Sequence, residues 1–104
     1  MKQLRVFKNF MIVIDIISEY NPEFFNLIPI QVAYVNKLMN QGVLTTYTLS
    51  ADRTKLWATM LGETKSDVQD IFEQFPMRKY MDAKIYELAF HNNISHRMPE
   101  LSMN

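Results

Sequence analysis

Phe10, Ile12, Ile14 and Ile16 alternate with Met11, Val13, Asp15 and Ile17, and both sets are apolar apart from Asp15. Period-two alternation of β-branched residues predicts a strand, and apolar side chains in both phases predict one covered on both faces, central in its sheet. Asn21-Pro22-Glu23 supplies a helix start: Asn as N-cap, proline at the first helical position, and a carboxylate near the positive end of the helix dipole. Phe25, Ile28, Val32, Val35, Leu38 and Met39 recur at helical spacing as far as Gly42, which reads as the C-terminal cap. Pro29 has no N–H for the carbonyl of Phe25, which predicts a kink or a restart.

From Val43 to Leu61 the period changes to two, predicting a hairpin with arms Val43–Ser50 and Lys55–Leu61 about Ala51-Asp52-Arg53-Thr54. Ser66 followed by Gln69 reads as a capping box opening a second helix, with Val68, Ile71, Phe72 and Phe75 as its apolar face. Pro76 is expected to stop that helix, because the residue before a proline is pushed out of helical geometry. Ala83 to Phe90 alternates again as the last strand. The order predicts an α+β, ferredoxin-like βαββαβ fold, a four-stranded antiparallel sheet with two helices on one face. A single domain over 1–91 and a C-terminal tail over 92–104, contacting a neighbouring subunit or staying free, complete the organisation. Helices on one face leave the doubly apolar first strand uncovered on the other. The economical cover is a second copy packed sheet to sheet, at least a homodimer.

A chain of 104 residues, 48% hydrophobic, suits one core. Eleven basic residues balance eleven acidic ones, so no overall field holds a polyanion, and neither nucleic acid nor an anionic membrane is an expected partner. The absence of cysteine removes disulfides and thiolate chemistry and agrees with a cytoplasmic location. MKQLRVFKNFMIVIDII resembles a signal peptide in placing basic residues before an apolar run, but Asp15 interrupts that run, so a strand is the expected reading. No Gly-rich phosphate loop or nucleophile elbow occurs, and no cofactor is implied.

Candidate chemistry is sparse. His91 and His96 are five apart with no third ligand beside them, which argues against a metal site. His91 offers an imidazole that either moves a proton or simply bonds to backbone at the strand end. Asp15, the one charge in the first strand, is either a cavity-facing base or an exposed strand-end carboxylate. Tyr34, Tyr47 and Trp57 have apolar bodies and polar tips suited either to a small-molecule pocket or to the core.

The run Phe75-Pro76-Met77-Arg78-Lys79-Tyr80-Met81-Asp82, continuing to Leu88 and His91, resembles the signature of the muconolactone isomerases and their relatives. The resemblance implies a ferredoxin-like subunit of a dimeric α+β barrel, with dimers assembling further and the pocket between the open sheet face and neighbouring subunits. It also implies a cofactor-free isomerase that shifts a proton within a small, partly apolar carboxylate or lactone. On that pattern His91 or Asp15 moves the proton and Arg78 or Lys79 holds the carboxylate, while Tyr80, Tyr34, Tyr47 and Trp57 shape the cavity. Where the family carries charged groups, Met11 to Ile14, Ile30 to Tyr34 and Thr45 to Leu49 are apolar or neutral. This keeps open the alternative of a non-catalytic small-molecule-binding or assembly module.

Overall fold

In the computed structural model, which describes residues 6–92, the first alternating run becomes strand β1 (Lys8–Ile16). Helix α1 (Pro22–Asn40) follows, with the Asn21 side chain accepting the Phe24 N–H at 2.8 Å as the N-cap. Gly42 just beyond its end has φ +74°, a left-handed conformation that glycine adopts without a Cβ clash. The helix runs uninterrupted through Pro29 rather than restarting; Pro29 lies on the exposed side, where its ring meets solvent instead of packed neighbours.

Strands β2 (Leu44–Leu49) and β3 (Lys55–Gly62) form the expected hairpin. Helix α2 (Lys65–Phe72) starts from Thr64 rather than Ser66: Thr64 is extended at φ −136° and its hydroxyl accepts the Asp67 N–H at 3.1 Å. Ser66 therefore falls inside the first turn, and the Gln69 amide donates to Glu73 at 2.6 Å instead of reaching back. The helix also ends at Phe72, before Pro76 acts on it, and a 3₁₀ turn (Arg78–Tyr80) feeds β4 (Met81–Glu87). β4 begins two residues earlier than the alternation predicts because Met81 already pairs with Ile16.

The sheet order is β2-β3-β1-β4 with every pair antiparallel, and β1 and β3 are central. This is the ferredoxin-like βαββαβ arrangement read from the alternation. Phe10, Ile12, Ile14, Ala58 and Met60 share the helix-covered face and are fully buried. Burying a large apolar side chain of this kind contributes about 1.5–3 kcal/mol. Val68 and Phe72 of α2 close over one end of that face, and a Cβ added to Gly62 would lie 2.7 Å from Val68 Cγ2. Only glycine lets the helix approach the strand so closely.

The opposite face carries Met11, Val13 and Trp57, each half-buried, and Tyr86, 50% exposed. A register shift in β2 sets both Thr45 and Thr46 against Thr59, whose buried hydroxyl lies 2.7 and 2.5 Å from theirs. The bulge thereby satisfies the one buried hydroxyl of β3. Among the described residues, no helix is long and apolar enough to cross a membrane. The expected tail and His96 lie, Asn92 apart, outside the described residues.

Candidate functional site

The two apolar stripes of α1 have different fates. Phe24, Gln31, Val35 and Leu38 turn into the protein and are buried. Phe25, Ile28 and Val32 form the neighbouring stripe at i, i+3 and i+7, yet are 50%, 40% and 53% exposed. Between this second stripe and the sheet lies a cleft of about 390 Å³. Ile16, Leu49 and Leu56 form its floor, and Met77, Tyr80 and Met81 close the end beside the 3₁₀ turn. Two backbone bonds hold the floor, Ile16 N–H to the Thr54 carbonyl at 2.8 Å and Ile17 N–H to the Tyr80 carbonyl at 2.7 Å.

One polar side chain knits this cleft together from within. Gln31 is 4% exposed; its amide donates to the Tyr47 hydroxyl at 3.3 Å and its carbonyl accepts the Met77 N–H at 3.0 Å. Both ends of a buried amide are thus partnered, the condition under which burying it is tolerated. Burial pushes the Tyr47 hydroxyl up from its usual range, against the smaller lowering effect of Gln31, so it stays protonated. Having accepted from Gln31, it keeps its own hydrogen to donate.

Tyr80 is 3% exposed and lines the cleft with its ring, while its hydroxyl donates to Glu23 Oε1 at 3.1 Å. Glu23 is also ion-paired with Lys79. The Lys79 hydrogen bond first, and the Tyr80 hydroxyl second, hold the Glu23 carboxyl below its ordinary range. Lys79 is raised in turn, chiefly by the same bond to Glu23. Arg78 bonds Glu73 at 3.2 Å and the Met81 carbonyl at 2.6 Å, with its guanidinium 4.6 Å above the Phe72 ring. Both basic residues tie the 3₁₀ turn to the helices, and neither lines the cleft.

The remaining sequence candidates lie elsewhere. Asp15 is exposed on the open sheet face, 2.5 Å from Lys55 Nζ, and borders a smaller hollow of about 240 Å³ with Asp82 and Lys84. His91 is half-buried beyond β4, and its Nε2 is buried without a hydrogen-bond partner among the described residues. Asp15 pairs with Asp82, whereas Leu88 N–H bonds Asn9 at the other end of β1. At about 3.3 Å per residue, Asn9 and Asp15 are roughly 20 Å apart, so the sheet anchors the two candidate proton carriers at opposite ends. Tyr34 stacks edge-on against Phe75 at 5.6 Å and borders a third hollow near Lys37. Trp57 stands on the open face opposite Val13.

Of the eight residues the sequence singles out, the cleft brings together Tyr47 and Tyr80. Sequence reasoning missed Gln31, which stands as a lone polar position among apolar helix residues, the usual mark of a buried partnered amide. It also missed Arg53, which lines the cleft from the β2–β3 turn. Among the described residues no three His, Asp or Glu side chains are grouped to hold a metal ion.

Fold and site together define a ferredoxin-like α+β protein with an apolar cleft under the first half of its first helix. No protein-family model matches the chain, and no curated protein matches it. A solved structure described as "Crystal structure of PH0061" is similar at a TM-score of 0.41 and 11% identity, over 82% of this chain and 55% of that one. The chain thus spans about half the length of that protein's chain.

Proposed function

We propose that this protein is a non-catalytic small-molecule-binding module that holds a compact, mainly apolar ligand in the cleft beneath α1. The lining carries this reading. Among the described residues, its walls are aliphatic and aromatic, its polar groups are neutral apart from Arg53, and no His, Asp, Glu or Lys side chain contributes to it. Such a surface desolvates an apolar body and orients it through a few donors, but has no ordinary base to abstract a proton. The volume sits at the small end of the range for ligand sites. Val32→Trp fills the mouth from an exposed position. It is expected to abolish binding of hydrophobic probes, measured by calorimetry, while leaving the melting temperature within a few degrees. Unaltered probe binding in that variant would move the ligand elsewhere.

The open sheet face supports a second part of the same reading, assembly with another copy. Met11, Val13, Trp57 and Tyr86 form its apolar centre, and the Asp15–Lys55 pair together with Asp82 and Lys84 sets charges of both signs beside it. A face with both signs is self-complementary under a dyad, as a homodimer requires. Light scattering is expected to give a dimer mass for the wild type, with dissociation in Trp57→Lys.

The isomerase reading keeps one observation in its favour: Tyr80 and Met81, from the segment that resembles the muconolactone isomerases, border the cleft. Ultraviolet turnover of muconolactone that is lost in Tyr80→Phe or His91→Ala would replace the binding reading with that one.

A further inference from the structure

The turn joining β2 to β3 is unusually well tied. Ser50 Oγ accepts the Lys55 N–H at 3.0 Å, Ser50 N–H donates to the Lys55 carbonyl at 2.9 Å, and the Arg53 N–H donates to the Ser50 carbonyl at 3.0 Å. Asp52 is consumed within the same turn, accepting from Ser50 Oγ and Thr54 Oγ1 at 2.7 Å each and from the Thr54 N–H at 3.0 Å. Those bonds hold its carboxyl below its ordinary range, the Ser50 hydroxyl being the largest cause. At the tip, Arg53 has φ +63°, the one positive φ outside glycine among the described residues. An L-residue with a Cβ is crowded there, and glycine or asparagine is the usual occupant. A long cation is held in a conformation that favours glycine, on a turn that does not need its side chain.

The guanidinium has no ion pair and no side-chain hydrogen bond among the described residues. Every other basic side chain bordering this end of the fold is engaged: Lys79 with Glu23, Arg78 with Glu73, and Lys55 with Asp15. Among the described residues, Arg53 is also the sole charged side chain lining the cleft. An apolar cleft with one unspent cation at its exposed rim complements a ligand with a hydrocarbon body and one negative end. Such a ligand leaves its charge at the rim, where water and Arg53 both reach it, and avoids burying an unpaired carboxylate.

Resting on the reading of the cleft as a binding site, we infer that its ligand is an amphipathic monocarboxylate, with the body along Phe25, Ile28 and Val32 and the carboxylate on Arg53. The volume of about 390 Å³, at about 30 Å³ per water-sized group, holds about a dozen non-hydrogen atoms. This size describes a medium-chain fatty acid or an aryl-alkanoate, and is too small for a long-chain lipid. Arg53 is then a specificity residue, selecting the anion over the neutral analogue of the same length.

The test is calorimetric titration of the full chain with nonanoate and with 1-nonanol, which share a body and differ in the head. The wild type is expected to bind nonanoate roughly tenfold more tightly, the gain of one charge-assisted contact, with the preference shrinking as salt rises. Arg53→Gly is expected to erase that preference while its melting temperature holds or rises, since glycine relieves the left-handed residue. A purely structural role for Arg53 would not separate these two readouts. Equal binding of acid and alcohol by the wild type, or a preserved preference in Arg53→Gly, overturns the inference and leaves the cleft as a neutral site. Loss of the preference in Lys55→Gln instead would place the carboxylate on the open sheet face and overturn it as well. If neither ligand binds, the cleft reading itself falls.

Discussion

The helix-covered face of the sheet has two ends that are built to different standards. At the Gly62 end Phe10, Met60 and Val68 are fully buried and Phe72 is 1% exposed, with α2 drawn in until a methyl group would not fit. At the Ile16 end α1 stands off, and its second apolar stripe faces a cleft instead of a core. The same kinds of side chain occur at both ends. What differs is the small residue that permits approach: Gly62 lies beneath α2, whereas the Phe24 and Tyr80 rings, 5.0 Å apart and edge to face, hold the α1 end open. Stability is concentrated where packing is dense, and binding capacity where aromatic spacers prevent it.

This contrast is breakable. The largest effect is expected from Phe72→Ala at the dense end, a loss of about 3–5 kcal/mol in urea denaturation, against under about 1 kcal/mol for Ile28→Ala at the cleft, where the side chain is already 40% exposed. Comparable losses at the two ends would erase the distinction. Next is Gly62→Ala, expected to destabilise by about 1–3 kcal/mol because Val68 or β3 must shift. Gln31→Leu is expected to cost about 1–3 kcal/mol by leaving the Met77 N–H unpaired, and to disturb ligand affinity as well, since Gln31 is both a buried structural tie and part of the cleft lining.

The smallest effect concerns pH. Glu23 is exposed and its pKa is depressed by Lys79 and then Tyr80, so its contribution is present above the ordinary glutamate value of 4.5 and is lost as pH falls through the lower folded value. A melting-temperature difference between wild type and Glu23→Gln is therefore expected near neutral pH and should vanish in that acidic window. Persistence of the difference at low pH would assign it to packing of the side-chain stem.

Much of the fold was legible because its signals are local and periodic. Both phases of β1, the Asn21-Pro22 start of α1, and the hairpin arms each follow from spacing and capping chemistry. The α2 cap was misplaced because Thr64 and Ser66 offer the same hydroxyl chemistry; the extended backbone at Thr64 decides between them, and that is a tertiary outcome. The site was far less legible. Phe25, Ile28 and Val32 have the spacing of a core stripe, and only the stand-off of α1 converts them into a wall. Arg78 and Lys79 look free in the sequence, but their partners Glu73 and Glu23 are brought to them by the helices. Arg53 carries no sequence signal, since a turn without glycine does not announce a positive φ.

Pro29 divides α1 in a way that its unbroken outline conceals. Because proline cannot donate, the Phe25 carbonyl has no partner one turn ahead, and the segment from Pro22 to Ile28 is joined to the rest of the helix by one backbone bond fewer than an ordinary sequence would provide. That segment is the one that carries Phe25 and Ile28 into the cleft. Its amides should therefore exchange with solvent deuterium as a separate, faster group than those from Tyr34 to Leu38, and should slow when the cleft is filled. The wall of the site is in that sense a hinged panel, set in a helix whose other half is fixed to the core.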